Sequence, residues 1–131
     1  MASVPYICLC LAVVLIYGPR FLGFGAQLRQ PEGLDNAYPR AQQARLTGLG
    51  ARAQSAHMNG FEAFGPFAVG VLACEARGVD AGRIAWLSIA FVVFRSIYIG
   101  LYLGNVPTAR TVVWALGLGA ASALLVLAAL G

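Results

Sequence analysis

The stretch Arg52-Ala-Gln-Ser55-Ala-His57-Met58-Asn59-Gly-Phe-Glu62-Ala-Phe-Gly-Pro-Phe67 opens an apolar run that continues to Cys74. It carries an arginine, two amides, a histidine and a carboxylate into a segment otherwise composed for a bilayer. Arg52, Ser55, Asn59 and Glu62 follow one another at helical spacing, which places all four on one face of a helix. A carboxylate inside an apolar helix needs a partner at its own depth. The stretch therefore predicts one member of a bundle of membrane helices, with its polar stripe turned towards its neighbours.

Working outward, three more apolar segments flank it, and spans are expected at about 2–24, 52–74, 83–103 and 108–130. A polar segment at about 25–51, with Pro31, Gly33, Asp35, Asn36 and Pro39, reads as a loop, with a short helical turn near Arg40–Leu46. Thr108 is the expected N-cap of the last span. The first span reads as uncleaved, because no basic residue precedes its apolar core and no small-x-small site follows it. The composition agrees: 60% of the 131 residues are apolar and 11% are charged, against about 25% in soluble domains. Mean hydropathy is +0.75. The expected fold class is all-α, a single four-transmembrane-helix bundle domain.

All nine basic residues are arginines, and they punctuate apolar runs instead of forming a soluble basic face, which argues against a nucleic-acid partner and for a lipid bilayer. Arg20, Arg29, Arg40, Arg45, Arg52 and Arg110 fall on one side of a four-span topology, and Arg77 and Arg83 on the other. The positive-inside rule then puts the long loop in the cytoplasm and both termini outside. Cys8, Cys10 and Cys74 are odd in number, match no metal spacing and read as packing residues. His57 lies off the polar stripe, has no second histidine to join it, and reads as structural; no metal site is expected.

Arg95, Tyr98 and Tyr102 repeat the helical spacing in the third span, and Trp114 follows Arg110 by one turn in the fourth. At 1.5 Å per residue Glu62 lies roughly 15 Å inward from Arg52, and Arg95 roughly 13 Å inward from Gly104. A Glu62–Arg95 ion pair is thus the expected solution for two charges at similar depth, each costing about 2.5–3.5 kcal/mol if unpaired. One reading is that this pair only fixes helix register. Arg52, Asn59, Tyr98, Tyr102, Arg110 and Thr111 add more polar groups near one membrane face than an ion pair requires, and they point to a binding site. Its arginines and amide suit a small zwitterionic, multiply carboxylated molecule, with an apolar co-substrate entering from the lipid.

The quoted stretch, together with Asp35-Asn-Ala-Tyr-Pro-Arg40, Arg45-Leu-Thr-Gly-Leu-Gly-Ala-Arg52, Arg95-Ser-Ile-Tyr-Ile-Gly-Leu-Tyr-Leu-Gly104 and Arg110-Thr111, resembles the MAPEG family, the membrane-associated proteins of eicosanoid and glutathione metabolism. The likeness is greatest to its short bacterial branch. The resemblance implies a homotrimer in the bacterial inner membrane with glutathione as co-substrate, bound between adjacent protomers near the cytoplasmic face. It implies catalytic roles for Arg110, as the arginine that stabilises the thiolate, and for Thr111, where a serine can follow. It implies ligand binding by Asn59, Glu62 and Tyr102 and a structural and binding role for Arg52 and Arg95; Tyr98 and Trp114 join the candidate ligand-binding residues through their helical spacing. Ser55 and Met58 stand where the prostaglandin-synthase branch has arginines, Tyr98 where it has a histidine, and Trp114 where it has a tyrosine. The implied activity is that of a glutathione-dependent transferase or peroxidase acting on lipophilic electrophiles or lipid hydroperoxides. The alternatives are a non-catalytic trimeric scaffold, lipid-binding protein or accessory subunit of a larger membrane complex, and a small proton-coupled exporter.

Overall fold

A computed structural model describes residues 3–131; Ala2, where the first span was expected to begin, lies outside them. Every regular element among the described residues is a helix, and none is a strand. The helices are α1 (Val4–Leu28), α2 (Pro39–Ala44), α3 (Gly48–Ala76), α4 (Ala81–Leu103) and α5 (Pro107–Leu130). Three of them, α1, α4 and α5, are long and apolar enough to cross a membrane, with mean hydropathies of 2.0, 1.9 and 2.2. The protein therefore has the character of an integral membrane protein. α3 is longer than any of the three but carries the polar stripe, which lowers its hydropathy below theirs.

Local sequence explains where the helices start and stop. Pro39 and Pro107 occupy the first turns of α2 and α5, where a missing N–H costs nothing and the fixed φ suits a helix. This moves the start of α5 ahead of Thr108: Val106 sits at the N-cap position, without a side-chain cap. Asp80 caps α4 by accepting a hydrogen bond from the Arg83 backbone N–H at 3.0 Å. α3 ends in a paired-turn motif in which Val79 N–H reaches Cys74 O and Gly78 N–H reaches Glu75 O, with Gly78 at φ +69°. α4 ends in the same way, but with Asn105 at φ 59° in the left-handed position. α1 runs past Phe24 to Leu28, and α3 starts at Gly48, so the connecting segment is shorter than the sequence suggested.

α1 and α5 sit at opposite corners of the bundle; each packs on both α3 and α4, which also meet each other. The core lies along α3, where Phe67 stacks on Phe91 of α4 with ring centroids 3.9 Å apart. Val71, Cys74, Ile84 and Leu124 close around that pair. Small residues set the approach of the helices. A Cβ on Gly70 would lie 2.8 Å from Leu124 Cβ of α5, and one on Gly60 would lie 3.0 Å from Ile16 Cγ1 of α1. In α5, Gly117, Ala120 and Ala121 are buried, whereas Gly119 has open space where a side chain would stand. Outward faces are apolar, as at Phe21 (75% exposed) and Trp86 (68%).

Candidate functional site

α3 contributes Asn59, α4 contributes Tyr98 and Tyr102, and the first two turns of α5 contribute Arg110, Thr111 and Trp114 to one open cleft of about 250 Å³. Each comes from the helical face expected for it, because α4 and α5 are joined by a tight turn at Gly104–Val106 that sets their ends side by side. The Arg110 guanidinium lies 4.2 Å from the Tyr102 ring centroid. Tyr102 packs edge-on against Tyr98 at 5.6 Å, and Arg95 lies 4.2 Å over Tyr98. Two cations thus stand at the two ends of a tyrosine pair, each contributing about 0.5–2 kcal/mol through its ring. Among the described residues the sole ion pair is the exposed Arg45–Glu32 contact at 3.1 Å. The Arg110 charge therefore has no carboxylate partner and remains open to an anionic ligand. Thr111 donates its hydroxyl to the Pro107 carbonyl at 3.0 Å.

The direct Glu62–Arg95 pair expected from depth is not formed. Asn59 stands between them: Arg95 Nη1 donates to Asn59 Oδ1 at 2.9 Å, and Asn59 Nδ2 donates to Glu62 Oε2 at 2.9 Å. An amide can accept from a guanidinium and donate to a carboxylate at once. Arg95, 5% exposed, is thereby satisfied at Nη1 but not at Nη2, which is buried without a partner, while Glu62 stays on the exposed side of α3. Glu62 and Arg95 then line a second, more enclosed pocket of about 90 Å³ beside the cleft, with Ala63, Phe91, Trp114 and Leu118. Trp114 borders both spaces.

Arg52 is not part of the cleft wall. Its Nε donates to the Leu103 carbonyl at 3.1 Å, so it satisfies the last turn of α4 and fixes the entry of α3 beside it. Ser55, although at the spacing of the polar stripe, lines a different groove with Met58, Arg20, Arg40 and Gln54, formed by α1, α2 and α3. His57 is buried between Tyr17 and Phe61, and its Nδ1 donates to the Ile16 carbonyl at 2.7 Å. Ile16 precedes Pro19, which removes one N–H from the α1 ladder, so His57 secures that stretch of α1 to α3. No group of histidine, cysteine or acidic side chains among the described residues is arranged to hold a metal.

One polar cluster went unread in the sequence. Gln27, at the end of α1, and Gln42, in α2, are both buried, and Gln27 Nε2 donates to Gln42 Oε1 at 3.0 Å. Arg20 Nη1 donates to Gln27 Oε1 at 2.9 Å, and Gln42 also donates to the Gly33 carbonyl and accepts from Asp35 N–H. This knot holds the 29–47 connection against the end of the bundle where α1 ends and α3 begins. Its only signal in the sequence is two glutamines, which carry no period and no charge.

A model of the MAPEG family matches residues 3–130, and the chain belongs to that family. Neither the curated proteins nor the solved structures contain a match.

Proposed function

We propose, from membership of the MAPEG family and the geometry of the cleft, that the protein is a glutathione-dependent membrane transferase or peroxidase acting on lipophilic electrophiles or lipid hydroperoxides. The observation that carries this reading is Arg110: a cation without a carboxylate partner, held over Tyr102 at the mouth of a cleft that also presents Asn59, Tyr98 and Thr111. A guanidinium beside a bound thiol favours the thiolate, which is the attacking species. The positive end of the α5 dipole acts in the same direction. The polar lining suits the carboxylates and amides of glutathione, and the pocket behind Trp114, with Ala63, Phe91 and Leu118 beside Glu62 and Arg95, offers apolar surface to a lipophilic second substrate.

In this reading α3 is a fourth span, and the functional unit is a homotrimer. The cleft of a single protomer is open and falls just below the usual range of about 300–1,000 Å³ for small-molecule sites; a neighbouring protomer would close it. The exposed stripe of α3, with Met58, Phe61, Val69 and Leu72 each about half exposed, offers the apolar surface for that contact. The arginine distribution supports an inner-membrane orientation with the loop cytoplasmic and the termini periplasmic.

The test is calorimetric titration of the detergent-solubilised protein with glutathione, alongside ultraviolet absorbance of the thiolate. The expected result is binding with a thiolate signal that disappears in Arg110→Ala, together with a loss of turnover of about 100-fold or more. No binding at millimolar glutathione would leave the trimeric scaffold as the better reading.

A further inference from the structure

A groove of about 800 Å³, formed by α1, α2 and α3, shares no lining residue with the cleft. Its lining changes character along the helices. α3 enters it at Ala51 and leaves it at Phe61, a distance of roughly 15 Å along the helix axis. At the first end stand Arg40 and Gln43 of α2, Gln54 of α3 and Arg20 of α1. At the other end stand Tyr17, Met58 and Phe61, each about half exposed. Tyr17 and Phe61 meet edge to face with ring centroids 5.8 Å apart. Neighbours across the two long helices pair Ala26 with Gly50, Gly23 with Gln54 and Ile16 with Gly60. α1 therefore runs antiparallel to α3, and Arg20 lies nearer the polar end than Tyr17 does.

The polar end carries charge that the protein does not neutralise. Arg20 and Arg40 line the groove, and no acidic side chain does; the sole ion pair among the described residues is elsewhere, at Arg45 and Glu32. Gln27 brings the two arginines together. Its Oε1 accepts from Arg20 Nη1 at 2.9 Å, and its Nε2 donates to the carbonyl of Pro39, the residue before Arg40, at 3.3 Å. Gln27 is itself fully buried, so this link belongs to the fold and not to a mobile surface. Arg20 Nε and Nη2 make no hydrogen bond and are not enclosed, and Arg40 is exposed. Both guanidinium groups thus keep donors open to a ligand. Gln54 closes this end by donating to Gln43 at 3.2 Å, across α3 and α2.

We propose that this groove is a binding site for one anionic phospholipid, with its phosphodiester at Arg20 and Arg40 and an acyl chain along Tyr17, Met58 and Phe61. The order of polarity selects this class. The charged end lies where α1 ends and α3 begins, and the apolar end lies towards the middle of the bundle. A phospholipid in a bilayer leaflet has its headgroup and hydrocarbon in the same order. A basic pocket between membrane helices attracts an anionic headgroup, and guanidinium groups hold phosphate oxygens through charge-assisted N–H donors. A free phosphate would leave the aromatic end empty, and a lipid without net charge would leave the cations unmatched. The site requires neither glutathione nor the proposed reaction. Met58 and Phe61 belong also to the stripe proposed as the trimer contact, so in the trimer the lipid chain lies along the edge of that contact.

Native mass spectrometry of the detergent-solubilised protein tests the assignment, with dioleoyl phosphatidylglycerol and dioleoyl phosphatidylcholine offered in equal amounts. The expected result is one phosphatidylglycerol retained per chain, in preference to phosphatidylcholine. Arg40→Gln, at an exposed side chain that makes no hydrogen bond, should weaken retention at least about fivefold. Arg20→Gln should do the same; should it fail to fold through loss of the bond to Gln27, Arg40→Gln still decides the matter. Arg29→Gln is the control, because this exposed arginine follows the end of α1 but lies outside the groove, and retention should not change. An equal loss in Arg29→Gln would reduce the effect to diffuse attraction and overturn the site. Equal retention of the two lipids would overturn it as well. Displacement of phosphatidylglycerol by millimolar glycerol 1-phosphate would show that the phosphate alone is recognised, and would remove the lipid from the groove.

Discussion

Both ends of the Asn59 amide are engaged, one by the buried Arg95 guanidinium and the other by the exposed Glu62 carboxylate. Its replacement by a side chain of similar size without polar atoms would strand a charged donor that already has one unmatched N–H. Asn59→Leu is therefore expected to lower stability by about 1.5–3 kcal/mol, measured as thermal unfolding in detergent; an unchanged midpoint would mean that Arg95 finds another acceptor. His57 gives a milder case. Its ring packs between Tyr17 and Phe61 while Nδ1 serves the Ile16 carbonyl, so His57→Phe preserves the packing and removes the bond. A loss of about 1 kcal/mol is expected, and a loss as large as that of His57→Ala would show that the bond contributes most of the residue's effect. The residue types that the sequence singled out include those that meet at the cleft, because helical spacing alone selects a face. The spacing left Arg52 and Ser55 on that face too, yet one bonds the end of α4 and the other opens onto a different groove. What separates them is which neighbouring helix stands on each side, and spacing within one helix carries no such information.

Between elements, close approach depends on the absence of side chains. Gly70 allows α5 to lie against α3, since a Cβ there would meet Leu124 Cβ at 2.8 Å and the Ala121 carbonyl oxygen at 3.4 Å. Gly70→Ala should cost about 1–3 kcal/mol, as overpacking does, because the obstacle includes backbone. Gly65 on the same helix has no heavy atom within 4 Å of its would-be Cβ, so Gly65→Ala should be neutral or slightly stabilising. Thermal unfolding of the pair decides it: equal effects would mean that α3 and α5 are further apart than described. The connection between α1 and α3 depends on a different device, the Gln27–Gln42 knot. Gln42→Ala removes the side chain that bonds Gln27, the Gly33 carbonyl and the Asp35 N–H. Protease cleavage within residues 29–47 should accelerate, with the helical signal of the bundle retained; cleavage at the parent rate would show that α2 is held by packing alone.

At the scale of the whole molecule, α1, α4 and α5 present apolar outer faces suited to lipid, while α3 combines a polar stripe, half-buried at Asn59 and exposed at Ser55 and Glu62, with an exposed apolar one. If that second stripe is the trimer contact proposed above, Val69→Arg should convert the trimer into monomers by light scattering in detergent. The cost of a charge in such a setting, about 2.5–3.5 kcal/mol, is enough to do so; an intact trimer would place the stripe against lipid. The all-helical, membrane-embedded character and the family of the chain were legible from sequence, because they rest on composition, on helical periodicity and on a polar motif too costly to occur by chance in an apolar run. The sequence also contained the charges of the buried network, since depth follows from rise per residue. It did not contain the partners. Depth suggested that Arg95 would meet Glu62, and only the packing of α3 on α4 decided that Asn59 would come between them. The same packing left one donor of Arg95 buried without a partner, because hydrogen bonds depend on ångström-scale positions that the rotation of one helix against another sets, and no single helix encodes that rotation.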